Sequence, residues 1–139
     1  MGISIRKTIN IRFSEVDSMG VVWHGSFVQF LEDGRECFGL KYGLSYLEVA
    51  SHDFLIPIVD MNLSYKKSAR YGEKLIVETE FINSDAAKII FEYTIYHELS
   101  MEVLVKARTV QVFTDKNGQL VLTNPPFFVD WKKSLSISE

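Results

Sequence analysis

One stretch of the chain concentrates side chains able to do chemistry. It reads Arg12-Phe13-Ser14-Glu15-Val16-Asp17-Ser18-Met19-Gly20-Val21-Val22-Trp23-His24-Gly25-Ser26-Phe27, and a run with helical spacing begins where it ends. A carboxylate, Asp17, thus stands a few residues ahead of a helix N-terminus. The first N–H groups of a helix lack intrahelical partners and carry the positive end of its dipole, so they can stabilise an oxyanion. Val21, Val22 and Trp23 are apolar, fit to exclude water and to receive an acyl or aryl group. Gly20 lets the backbone turn tightly or approach a ligand. A carboxylate beside an oxyanion site is the equipment of acyl-group hydrolysis. An ordinary helix start preceded by a solvated Asp has the same spacing, because acidic residues are common near caps.

That chemistry depends on the elements around it. Phe27, Phe30, Leu31, Gly34 and Phe38 recur at helical spacing and predict a helix over 25–40. Ser26 and Gln29 have capping-box spacing, and Gly43 is a stop. Gly34 lies on the apolar stripe, where it costs about 1 kcal/mol of helix propensity relative to Ala; close approach of the helix to a sheet accounts for it. Upstream, Ile3, Ile5, Ile9, Ile11 and Phe13 alternate with polar residues, the pattern of a half-buried strand. Downstream the signal is almost all strand: 59–66 with Pro57 marking an edge or bulge, then 75–81, 89–95 and 103–114, separated by turns. A short helical tail is expected around 130–133.

The order of one strand, one long helix and a run of antiparallel strands is an α+β pattern, a sheet wrapped on a single helix. A length of 139 residues suits one domain spanning 1–139. One helix covers one sheet face, yet Ile76, Ile82, Ile90, Leu104, Val110 and Val112 alternate onto the other, which implies self-association. With 15 basic and 18 acidic residues the formal charge is -3, a poor match for nucleic acid or an anionic membrane. An anionic ligand needs a local basic cluster, and Lys66, Lys67 and Arg70 form the densest one. No apolar run is long enough to span a bilayer. With a single cysteine, Cys37, and no secretory leader, the expected location is the cytoplasm. Three scattered histidines, His24, His52 and His97, offer no metal-ligand spacing.

Residues 13–35 resemble the signature of hot-dog-fold acyl-CoA thioesterases of the 4-hydroxybenzoyl-CoA thioesterase type, most of all the Tol-Pal-associated branch. That pattern runs aromatic, acid-x-Asp, small residue, Gly-Val-Val-aromatic-His, then a helix with Glu-x-x-Arg. Here the positions are Phe13, Glu15, Asp17, Gly20-Val21-Val22-Trp23-His24 and Glu32-Asp33-Gly34-Arg35. A second similar stretch is Tyr65 followed by Ser68-Ala69-Arg70-Tyr71-Gly72-Glu73, with Ser68 where the family has Pro.

The resemblance implies an antiparallel sheet wrapped around a central helix, and hydrolysis of an acyl- or aryl-CoA without metal or cofactor. It makes Asp17 the catalytic carboxylate, as general base or as nucleophile, with Glu32 the runner-up. It places the thioester oxygen at backbone N–H groups near His24 and Gly25; the His24 side chain either orients the reactants or packs at the helix start. Lys66, Lys67 and Arg70 either meet coenzyme A phosphates or form a solvated strand end. Phe27, Val59 and Met61 either line the acyl pocket with Val21, Val22 and Trp23 or serve the core. The implied assembly is a homodimer or a dimer of dimers with the site between subunits. A hot-dog hydratase or dehydratase and a non-catalytic acyl-CoA or acyl-carrier binding module are the alternatives.

Overall fold

The computed structural model describes residues 3–137. Strand β1 (Ile3–Asn10) leads through a 3-10 turn at Phe13–Glu15 to helix α1 (Ser26–Tyr42) and the short helix α2 (Tyr46–Ser51). Strands β2 (Ile58–Tyr65), β3 (Lys74–Ile82), β4 (Lys88–His97) and β5 (Val103–Thr114) follow, then the two-residue β6 (Leu120–Val121) and helix α3 (Pro126–Ser134). The strands form one antiparallel sheet in the order β1-β3-β4-β5-β2, with β6 paired to β5. This is the α+β sheet-on-helix architecture that the sequence predicts.

Alternation puts Leu75, Val77 and Phe81 of β3, Ile89, Phe91 and Ile95 of β4, and Val105 and Phe113 of β5 on the inner face, all buried. Helix α1 lies across β1 and β3, burying Phe27, Phe30, Leu31, Gly34 and Phe38. Helix α3 closes one end: Phe128 and Trp131 pack on Phe81, and the Trp131 indole donates to the Tyr42 carbonyl at 2.6 Å. Gly43, at φ 78°, ends α1 in the left-handed conformation that glycine adopts without penalty. β2 is an edge strand, and its register with β5 slips between Ile58 and Asp60, just past Pro57.

Several expectations need correction. β1 stops at Asn10, and Phe13 stands in the 3-10 turn, 77% exposed, rather than on the strand's apolar face. Ser26 is the first helical residue and not the cap; Gly25 occupies the cap position with no side-chain hydrogen bond. Leu104 belongs to the core at 2% exposure, because the β4–β5 register slips between Ile95 and Tyr96 and leaves it unpaired in a bulge. Ile76, Ile82, Ile90, Val110 and Val112 do face away from α1, but they flank a charged band of Glu78, Glu80, Glu92, Lys106 and Arg108. An uncovered apolar surface also lies on the inner side. There a groove of about 960 Å³ opens between α1, α2 and the β4–β5 strands, lined by Leu40, Leu47, Ile56 and Phe91 among others.

Gly34 marks the closest seat of α1 on the sheet. A Cβ placed there would stand 2.4 Å from Thr79 Oγ1 and 2.8 Å from Val77 Cγ1. Both neighbours are β-branched, stiff and fully buried, so neither can yield cheaply. Gly34→Ala therefore destabilises the protein by about 1–3 kcal/mol, the usual effect of overpacking, despite its gain of about 1 kcal/mol in helix propensity. Urea denaturation of the two proteins reads the difference; a more stable variant would mean that α1 has room to move off β3.

Candidate active site

The segment between β1 and α1 is held by main-chain hydrogen bonds that converge on Glu15. Its carbonyl accepts from the Trp23 N–H at 3.0 Å and from the Ser26 hydroxyl at 2.9 Å. Its buried carboxylate turns the other way, accepting from the Arg12 N–H at 2.6 Å. Beyond Glu15 the chain doubles back, with Val16 bridging Val22 and the Asp17 N–H donating to the Val21 carbonyl at 2.8 Å. Gly20 makes this turn at φ 75°, a conformation that a side chain would strain. Asp17 sits exposed at the turn. Its Oδ1 accepts from the Met19 and Val21 N–H groups at 2.8 and 3.2 Å; among the described residues nothing donates to Oδ2.

The second motif of the sequence meets the first here. The Val22 N–H donates to the Ala69 carbonyl at 2.8 Å, the Tyr71 N–H to Gly20 at 3.0 Å, and Val21 bridges Arg70. Phe13 packs edge-on against Tyr71. Glu73 fastens the loop from behind, accepting from the Arg70 N–H at 2.6 Å and bonding His97 Nε2 at 2.9 Å.

At the start of α1 the Ser26, Phe27 and Val28 N–H groups donate three residues back, to Trp23, His24 and Gly25 at 2.9, 3.3 and 3.2 Å. Among the described residues the Gly25 N–H has no acceptor. The Trp23 indole lies directly against this point: a Cβ on Gly25 would fall 2.2 Å from its ring. The His24 ring is 4.9 Å from that of Trp23, and both side chains are exposed. The Tyr65 hydroxyl at the end of β2 donates to the His24 carbonyl at 2.9 Å, a contact that sequence reasoning missed.

Asp17, Val21, Trp23, His24, Gly25 and Arg70 are thus gathered on two stitched loops and one helix end. Val22 and Phe27 sit nearby but are buried in the core at 5% and 3% exposure. Met61 and Val59 are on the β2 edge, Val59 exposed at its bulge. Lys67 pairs with Glu102, whereas Lys66 and Arg70 are exposed and make no salt bridge among the described residues. Glu32 pairs with Arg35 further along α1, facing the groove. Of the other histidines, His52 stacks on Phe127 and His97 serves Glu73.

Residues 11–132 match the family described as the thioesterase-like superfamily. The chain belongs to that superfamily. This thioesterase-like chain is 32% identical over 126 residues to the "Putative acyl-CoA thioesterase YneP" of Bacillus subtilis (strain 168), with 91% of each covered. It superposes on the DHNA-CoA thioesterase from Staphylococcus aureus with a TM-score of 0.84 at 27% identity, covering 96% of this chain and 89% of that one. With 4-hydroxybenzoyl CoA thioesterase from Pseudomonas sp. strain CBS-3 it shares the fold, at a TM-score of 0.78 and 20% identity over 92% and 98% of the two chains. The fold is the hot-dog fold, and thioester hydrolysis is the chemistry of its class.

The Glu73 anchor gives the site's scaffold a pH dependence. Burial works against ionisation of Glu73, but the Arg70 N–H and the His97 ring outweigh it, and its pKa lies below the ordinary 4.5. A depressed carboxylate stabilises the fold fully above the unfolded pKa, and that contribution is lost as pH falls through the folded value. The gap in urea midpoint between the wild type and Glu73→Gln is therefore expected to shrink from pH ~6 to pH ~3.5. An unchanged gap would show that the carboxylate's charge contributes nothing to the loop.

Proposed function

We propose that the chain is an acyl-CoA thioesterase, cleaving the thioester of an acyl- or aryl-CoA to the free acid and CoA. The observation that carries this reading is the Gly25 N–H at the start of α1, unengaged among the described residues, flanked by the Trp23 indole and tied through Glu15 to the turn bearing Asp17. The N–H takes the thioester oxygen and stabilises it as negative charge develops. Asp17, with Oδ1 held by the turn, acts through Oδ2. As general base it takes a proton from water while the water oxygen bonds to the carbonyl carbon; the C–S bond then breaks and the thiolate of CoA leaves. As nucleophile it forms a mixed anhydride with loss of the thiolate, and water then hydrolyses the anhydride. The Gly-Val-Val-aromatic-His run supports placing the chain near the Tol-Pal-associated branch. No helix among the described residues is long and apolar enough to cross a membrane, which fits the cytoplasmic location we propose.

Arg70 and Lys66 meet the phosphates of CoA, Arg70 from the loop that pairs with Val21. Val21, Trp23, Val59 and Met61 contact the acyl group, and Val22 and Phe27 support them from the core. A second copy completes the assembly: β2 leaves one edge unpaired, and the inner face beyond α1 is uncovered. A dimer, or a pair of dimers, closes both.

Thiol release from a panel of acyl-CoAs tests the reaction, and the same acyl groups on N-acetylcysteamine test the nucleotide contacts. Asp17→Asn keeps the oxygen that holds the turn, so its kcat falls at least about a hundredfold while stability shifts by no more than about 0.5 kcal/mol. Near wild-type turnover would move the role to Glu32, and binding without turnover by the wild type would make the chain a binding module. Light scattering coupled to size exclusion is expected to give at least twice the single-chain mass; an active monomer would exclude the shared assembly.

A further inference from the structure

The peptide joining His24 to Gly25 carries the proposed oxyanion donor, and what holds that peptide decides where the donor points. In a trans peptide the C=O and N–H are antiparallel, so fixing one fixes the other. The cap offers no side-chain hydrogen bond, and the Phe27 N–H reaches the His24 carbonyl only at 3.3 Å. The shorter bond to that carbonyl comes from the Tyr65 hydroxyl at 2.9 Å, from 41 residues away in sequence. The Tyr65 ring is itself placed by an edge contact with Phe27, 5.7 Å between centroids, and by the β2–β5 pairing of Tyr65 with Val105.

We propose that Tyr65 is a positioning residue for thioester hydrolysis: its hydroxyl holds the His24–Gly25 peptide so that the Gly25 N–H stays aimed at the thioester oxygen. The inference rests on the reading of that N–H as the oxyanion donor. Donation to the carbonyl also polarises the amide and strengthens its N–H as a donor. Both effects grow as charge builds on the substrate oxygen, so they appear in the transition state more than in the bound substrate.

Tyr65→Phe removes the hydroxyl and keeps the ring on Phe27. Its kcat for acyl-CoA is expected to fall about tenfold, less than the roughly hundredfold or more that follows loss of an oxyanion donor itself, with KM within about twofold of wild type. The urea midpoint is expected to stay put, since the bond is solvent-exposed. A second readout does not depend on turnover. In Asp17→Asn protein the carbonyl stretch of a bound ¹³C-labelled thioester should lie below its solution frequency, and adding Tyr65→Phe should move it back toward that frequency. Unchanged kcat together with an unchanged stretch would overturn the inference while leaving the hydrolase reading intact. A wild type that releases no thiol would instead overturn the reading on which it rests. Loss of stability with kcat preserved would make Tyr65 a packing residue only.

Discussion

The seat of α1 on β3 at Gly34 sets the geometry of everything else. Because no Cβ fits between the helix and Thr79 or Val77, the helix axis lies closer to the sheet there than an all-alanine stripe would allow. Aromatic side chains fill the space on either side: Phe27 and Phe30 toward the N-terminus, and Phe38 against Phe81 and Phe91 toward the other end. Volume added at one point of such a core is transmitted along the helix rather than absorbed. The N-terminus of α1 is therefore delivered to one place, beside the end of β2 and the turn at Asp17.

What surrounds that end is polar main chain, not core. Glu15, Val21, Val22, Ala69 and Tyr71 tie two loops together through backbone N–H and C=O groups, and their side chains are secondary to that pairing. Loops of this kind ordinarily sit at the flexible end of a protein's stability range. Here they are anchored behind by Glu73, bonded both to the Arg70 N–H and to His97 at the end of β4. The frame leaves three groups without a hydrogen-bond or salt-bridge partner among the described residues: the second oxygen of Asp17, the Gly25 N–H, and the guanidinium of Arg70.

The elements with a long period were legible in the sequence. The 3.6-residue spacing of Phe27 to Phe38 found α1, and the alternation of β3, β4 and β5 found the inner face. The short helical tail expected around 130–133 falls within α3, but the other short elements were not legible. Helix α2 has six residues and no apolar stripe to read, although Ser45 caps it by accepting from the Glu48 N–H. Leu104 was misplaced because period-two reasoning assumes unbroken pairing, and a bulge reverses the side a residue faces. At the site, adjacency to a helix start pointed to Asp17 and an oxyanion position, while His24 and Gly25 were implied only by the family resemblance. Tyr65 could not be linked to them, because its bond to the His24 carbonyl spans 41 residues and leaves no periodic or compositional trace.

The polar groups of the inner groove bear on how the chain is completed. Gln111 is buried at 3% exposure; its amide nitrogen donates to the Ile56 carbonyl at 2.8 Å, yet among the described residues nothing donates to its Oε1. Arg35, paired with Glu32 through one nitrogen, leaves Nη1 buried with no acceptor among the described residues. Each such group costs about 1–3 kcal/mol when left without a partner. Both line the same groove, on the inner face of the sheet between α1, α2 and the β4–β5 strands. Burying that surface against apolar groups alone would strand both atoms. A surface with its own donors and acceptors, such as the equivalent helix and strand edge of a second copy, can meet an amide oxygen and a guanidinium together. For the second copy proposed above, the groove would thus set a constraint by chemistry as well as by shape, favouring a surface that brings hydrogen bonds with it.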